Sequence, residues 1–217
     1  MKTKILAVLV ALAAPAFASP AIQSSDQTVT FTAEIEPATL ASFCQEETHF
    51  ISCNGSLLRS TVLNLDKYVG KPYEFTATLA GVECPIWYIT AAVPAKGTLT
   101  FCGNAVPGCP IRMRVGPTGV IGEWMLWYST QAAFAPIDPI FGTVMIGPPY
   151  EFLGAGLTFG PTAAFDAVVP QSPGITGLKV FAQGIRRDIG KIGPWTLTNP
   201  ECFTILGPSP PCILPGC

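Results

Sequence analysis

Glycine and proline limit the folds open to this chain more than any other feature: 21 glycines and 22 prolines are spread through 217 residues, and no long stretch between them keeps a helical period. A buried helix needs ten or more residues with apolar positions three and four apart, whereas a strand needs only four to eight. Short strands separated by turns are what remains. From Gln27 to Glu36, Val29, Phe31, Ala33 and Ile35 alternate with Thr28, Thr30, Thr32 and Glu34, the period of a strand with one buried face. Ser56 to Leu65 resumes a strand-like pattern, and residues 66–71 read as a helical turn ended by Gly70. Tyr73, Phe75, Ala77 and Leu79 then alternate with Glu74, Thr76 and Thr78, and the run from Cys84 to Val93 is dense in Ile86, Trp87, Tyr88 and Ile89. Further strands are expected over residues 124–130, 143–146, 150–159, 164–169, 177–185 and 195–206, each bounded by Gly, Pro or Asn.

Before this pattern starts, Lys2 and Lys4, the apolar run from Ile5 to Ala14 and the small-x-small triplet Ala16-Phe17-Ala18 make residues 1–18 a cleavable secretory signal peptide. The apolar run is about half the ~20 residues that a bilayer span needs, so no membrane span is expected. With Lys2 and Lys4 gone, ten basic residues face 14 acidic ones, a net charge of about −4. That balance argues against nucleic acid, which calls for a basic stripe. Charged residues are only 12% of the chain against a typical ~25%, which predicts a sticky or self-associating surface. The expected location is outside the cytoplasm: extracellular, periplasmic or at the cell surface.

In an oxidising compartment the eight cysteines, Cys44, Cys53, Cys84, Cys102, Cys109, Cys202, Cys212 and Cys217, read as four disulfides. Eight cysteines allow 105 pairings. The pairings closest in sequence are Cys102 with Cys109, and Cys202 with Cys212 or Cys217. No C-x-x-C is present and His49 is the one histidine, so neither zinc nor any other metal or cofactor is expected.

Two resemblances sharpen the fold. Leu65 to Gly81, with Tyr68-Val69-Gly70-Lys71 ahead of a strand and a turn, looks like the opening of an OB-like small barrel. In the second half, Gly108-Cys109-Pro110, Val169-Pro170-Gln171-Ser172-Pro173, Gly177-Leu178, Ala182-Gln183 and Leu197-Thr198-Asn199 resemble a broad set of uncharacterised secreted bacterial two-module β proteins. In that set a V-P-x-S-P run, a G-L-x-V-x-A-Q-G run and a closing L-T-N recur, and Ile175 stands where the pattern more often has Leu. The resemblance covers about two thirds of the mature chain; it implies export and a β-sandwich and carries over no site. The expected architecture is all-β: an OB-like β-barrel over residues 20–95, an antiparallel β-sandwich over 105–206, and a Pro/Cys-rich strap over 207–217, stapled by disulfides.

Chemistry is sparse. A Ser-His-Asp hydrolase needs an imidazole beside its nucleophile, and the only one, His49, has the setting of a loop histidine; no G-x-S-x-G is present. Paired carboxylates are the open catalytic alternative, with Glu123 joined by Asp138 or Asp166, because the aromatic neighbours Trp124, Trp127 and Tyr128 would raise the Glu123 pKa toward that of a general acid. Alternation puts Trp124, Leu126 and Tyr128 on one strand face and Met125 and Trp127 on the other, so whichever set stays exposed is an apolar platform for sugar rings or for a partner. Arg186 and Arg187 are candidates to clamp a carboxylate or an acidic polymer. Asn54-Gly55-Ser56 reads as a turn before it reads as a glycosylation site, and Gly154-Ala155-Gly156 as a bulge. The expectation is an exported, non-catalytic binding or surface-structural protein, with extracellular polysaccharide or a surface protein as its partner. The alternatives are a secreted polysaccharide hydrolase and a self-assembling cell-surface component.

Overall fold

A computed structural model describes residues 28–39, 46–81, 84–116, 121–138, 142–189, 195–208 and 210–213. The expected signal peptide (1–18), Cys44 and Cys217 lie outside the described residues. Sixteen strands follow in chain order: β1 (Thr28–Ala33), β2 (Ile35–Pro37), β3 (His49–Ile51), β4 (Leu57–Arg59), β5 (Tyr73–Ala80), β6 (Ile86–Pro94), β7 (Thr98–Cys102) and β8 (Pro110–Gly116) come first. They are followed by β9 (Gly122–Ser129), β10 (Ala132–Asp138), β11 (Gly142–Ile146), β12 (Glu151–Thr158), β13 (Ala163–Val168), β14 (Lys179–Asp188), β15 (Thr196–Leu197) and β16 (Glu201–Thr204). The fold is all-β, and its one helical element among the described residues is a 3-10 turn, Leu65–Tyr68, capped by Asn64 and left through Gly70 at φ 71°.

The first half is a six-stranded sheet in the order β1-β5-β6-β4-β3-β2, antiparallel except for β4 beside β6. β1 and β2 are one run of chain bent at Glu34; its first half pairs with β5 at one edge of the sheet and its second half with β3 at the other. The sheet therefore rolls up, but among the described residues no ladder joins β1 to β2, and no sheet closes into a barrel. The barrel expected over residues 20–95 is thus an open rolled sheet, whose two edges are joined through the covalent chain at Glu34. The alternating residues Val29, Phe31, Ala33 and Ile35 all face its core, with Phe75, Leu58, Ile51 and Ile89.

The second half stacks two sheets. One runs β12-β9-β14-β15, with β16 also on β14, and the other β13-β8-β7. Leu99, Ile111, Met113 and Val115 from one sheet pack against Trp124, Leu126, Val180 and Ala182 from the other. The hairpin β10–β11 leaves this sandwich and packs on the first sheet. Phe134 stacks on Trp87 at 4.3 Å and meets Phe31 edge-on at 5.2 Å, Met145 is buried in the same core, and the Thr143 hydroxyl donates to the Thr30 carbonyl at 2.8 Å. The Gln183 side chain ties the other face of the hairpin to the sandwich, accepting from the Met145 amide at 2.8 Å and donating to Thr198 O at 2.9 Å.

The disulfides correct both local pairings. Cys202 bonds Cys53, across 149 residues, and Cys109 bonds Cys212, across 103. Cys84 and Cys102 are disulfide-bonded as well. Neighbours in sequence are poor partners here because Cys53, Cys109 and Cys202 lie in or beside strands whose spatial neighbours come from distant parts of the chain. Cys53–Cys202 staples the β3–β4 turn of the first half to β16 of the second. Cys109–Cys212 fastens the tail, with Asn104 donating to Pro211 O at 2.8 Å and accepting from the Ile213 amide at 2.9 Å.

Candidate functional site

The strand face expected to carry a platform is largely used inside the protein. Trp124 is buried on β9, its ring edge-on to Phe165 at 6.2 Å. Gly154 and Gly156 on the neighbouring β12 make room for it: a Cβ at 154 would stand 2.9 Å from Phe165 Cε2, and one at 156 would stand 3.3 Å from Trp124 Cζ2. The expected bulge is present, as a register shift between Phe152 and Gly154. Tyr128 shares the inner face, and burial, then the Glu151 carboxylate, raises its pKa. Trp127, on the outer face, is half buried beside Ile146, Phe181 and the Cys53–Cys202 bridge.

The charged candidates are paired within the chain. Arg187 donates Nε to Glu123 Oε2 at 2.9 Å, brings Nη2 to the same oxygen, and lies over the Trp195 ring at 4.7 Å. Glu123 is therefore the acceptor for an arginine, where an apolar aromatic setting was expected. Arg186 reaches Asp188 at 3.2 Å, its stem covered by Gly97. Asp166 takes a two-pronged contact from Arg112, at 2.6 and 3.0 Å, and those bonds hold its carboxyl below the ordinary value. Glu123 shares its face with Met125 and Trp127 outside one sheet, and Asp166 pairs across from Arg112 outside the other, with the sandwich core of about 10 Å between them. The fold does not bring these two carboxylates together. Asp138 ends β10 opposite Gly142.

His49 lies on β3 and is buried, where a loop had been expected. Its Nδ1 is 2.9 Å from Thr48 Oγ1, and its Nε2 lies 3.2 Å from Asp66 Oδ1 without hydrogen-bond alignment. Burial lowers its pKa against the opposing pull of Asp66. Among the described residues no group of three or more His, Cys, Asp or Glu side chains is placed to hold a metal ion, and no helix is long and apolar enough to cross a membrane.

Two features have no signal in the sequence pattern. Glu201, next to the Cys202 bridge, is within electrostatic reach of Glu34; burial first, then repulsion from Glu34, pushes its carboxyl up to about 8, against a 3.3 Å hydrogen bond from Asn199 that pulls it down. Burial, then Glu36, raises Glu34 too. The other feature is β12. It pairs with β9 on one side, and among the described residues no strand pairs its other side. Along it and its flanks Tyr150 is 50% exposed, Phe152 56%, Leu157 56% and Phe159 80%. Glu151 is the only charge in this stretch, and neither lysine nor proline interrupts the strand. Edge strands are ordinarily blunted by charges, prolines or bulges; β12 has the bulge between Phe152 and Gly154 and Glu151 at its start, and its run from Gly154 to Thr158 is open to pairing.

No protein-family model and no curated protein matches the chain. Among solved structures, the sporulation control protein Spo0M from Bacillus subtilis is similar at 10% identity over 52% of this chain and 49% of that one, with a TM-score of 0.24. This chain spans about half the length of that protein, and likeness of this degree assigns neither fold nor function.

Proposed function

We propose that this is an exported protein that works by contact, a binding or surface-structural module whose contact surface is the β12 edge. One observation carries the reading. The arginines and carboxylates singled out as chemical candidates, Arg186, Arg187, Glu123 and Asp166, have partners inside the chain, whereas four large apolar side chains on β12 and its flanks are half or more exposed, Phe152 with one side against Trp127. Exposed apolar strips rimmed by polar surface mark interaction sites in soluble proteins. The leader-like residues 1–18 support the export part of this reading, and the disulfides are compatible with it.

Polysaccharide is the first ligand class to try, because sugar-ring faces pack on aromatic side chains. The oxidised protein is mixed with insoluble polysaccharides beside a Phe152→Ser/Leu157→Ser double variant whose fold is checked by circular dichroism. Retention of the wild type and release of the variant is the expected result. Equal retention of both places contact elsewhere and sinks β12 as the surface.

A further inference from the structure

We infer that the occupant of the β12 edge is β12 of a second copy, the two strands pairing antiparallel about a two-fold axis into one continuous sheet. This rests on β12 being the contact surface and goes further by naming what covers it. Three properties of the strand lead to this partner.

The first is hydrogen bonding. Whatever docks must supply a line of backbone N–H and C=O groups to match the unpaired edge of β12, which runs without a bulge from Gly154 to Thr158. A second β12 offers such a line, and a two-fold operation makes the pairing self-complementary.

The second is charge. Only 12% of the residues are charged and the formal net charge is −2, so little repulsion opposes the approach of two copies. Residues 152–159 carry no charge, and an antiparallel match sets the lone Glu151 of one copy near the Thr158–Phe159 end of the other, away from its own counterpart.

The third is area. An aromatic side chain buries about 150–250 Å², so at the exposures of Tyr150, Phe152 and Phe159, with Leu157 beside them, one strip offers roughly 400–500 Å². Two strips side by side make about 800–1,000 Å² of apolar face, of which edge-to-edge pairing covers only the adjoining flanks, well below the ~1,200 Å² at which standard interfaces begin. The pair therefore belongs with weak, concentration-dependent dimers. Pairing also closes itself, because each copy spends its one β12 edge on the other.

Sedimentation of the full oxidised protein over a wide concentration range tests this, with Leu157→Lys and Phe159→Lys as strip variants and Val62→Lys, exposed in the first half, as the control. The wild type and the control move from monomer to dimer with one common midpoint, and each strip variant shifts that midpoint at least about tenfold upward. Hydrogen exchange slows in β12 amides of the wild type as the dimer fills. A wild type that stays monomeric, a dimer that the strip variants leave unchanged, or growth beyond two copies overturns the pairing. A monomeric wild type whose polysaccharide retention is still lost in the Phe152→Ser/Leu157→Ser variant overturns the pairing alone and leaves β12 as the contact surface. Unaltered behaviour of the strip variants in both assays removes both readings.

Discussion

A carboxyl whose folded pKa is raised to about 8 holds a proton that the unfolded chain releases near its ordinary value of 4.5. Between those two pH values the folded state binds more protons than the unfolded one, so this group makes stability fall as pH rises. At ~1.4 kcal/mol per pKa unit, the penalty at pH 8–9 is on the order of 2–4 kcal/mol. Glu201→Gln is therefore expected to match the wild type in urea unfolding near pH 4 and to exceed it at pH 8–9; a variant no more stable at pH 8–9 would show that Glu201 is ionised in the fold throughout. Nothing near Glu201 in sequence announces this, because its burial is a product of the whole fold and the Glu34 charge comes from the bend between β1 and β2 at the other end of the chain. By contrast, residues whose environment is local were legible: Val29, Phe31, Ala33 and Ile35 are buried as their alternation requires, and Gly55 and Gly70 adopt the positive φ that their turns need.

At the scale of elements, most strands were readable from period and punctuation; β3 reads as loop in the sequence, and β10 is not legible there either. Its Ala-Ala-Phe-Ala-Pro-Ile-Asp sequence offers small residues and a proline, poor strand signals, and it is a strand because β11 pairs with it and Phe134 finds a slot between Phe31 and Trp87. Phe134→Ala removes a ring that joins the hairpin to the first core. Because that ring is only partly buried, a loss of about 2 kcal/mol is expected in chemical unfolding, below the 3–5 of a fully buried Phe. A change under about 0.5 kcal/mol would mean that the hairpin merely lies on the sheet. The platform was half legible for the same reason. Alternation separates Trp124 from Trp127 correctly, but which face stays open depends on β12, β13 and the β10–β11 hairpin, and these arrive from other parts of the chain.

For the whole molecule, the expected pair of modules is joined more closely than sequence order suggests. The β10–β11 hairpin, drawn from the second half, completes the first core, and Cys53–Cys202 bonds the halves covalently. Sequence could count the cysteines but not pair them, since pairing follows from which strand ends meet. That bridge also has a mechanical meaning for a protein held at a surface. A pull between residue 28 and residue 213 runs along the chain to Cys53, crosses to Cys202 and leaves through the tail, so the 149-residue span between the two cysteines carries no extension. Stretched singly, the oxidised protein should unravel only at its ends, and reduction should release about 500 Å of further contour at ~3.5 Å per residue. The fold is wired so that tension runs through β1 to β3 and the end of β16 and bypasses β12, leaving its edge undistorted under load.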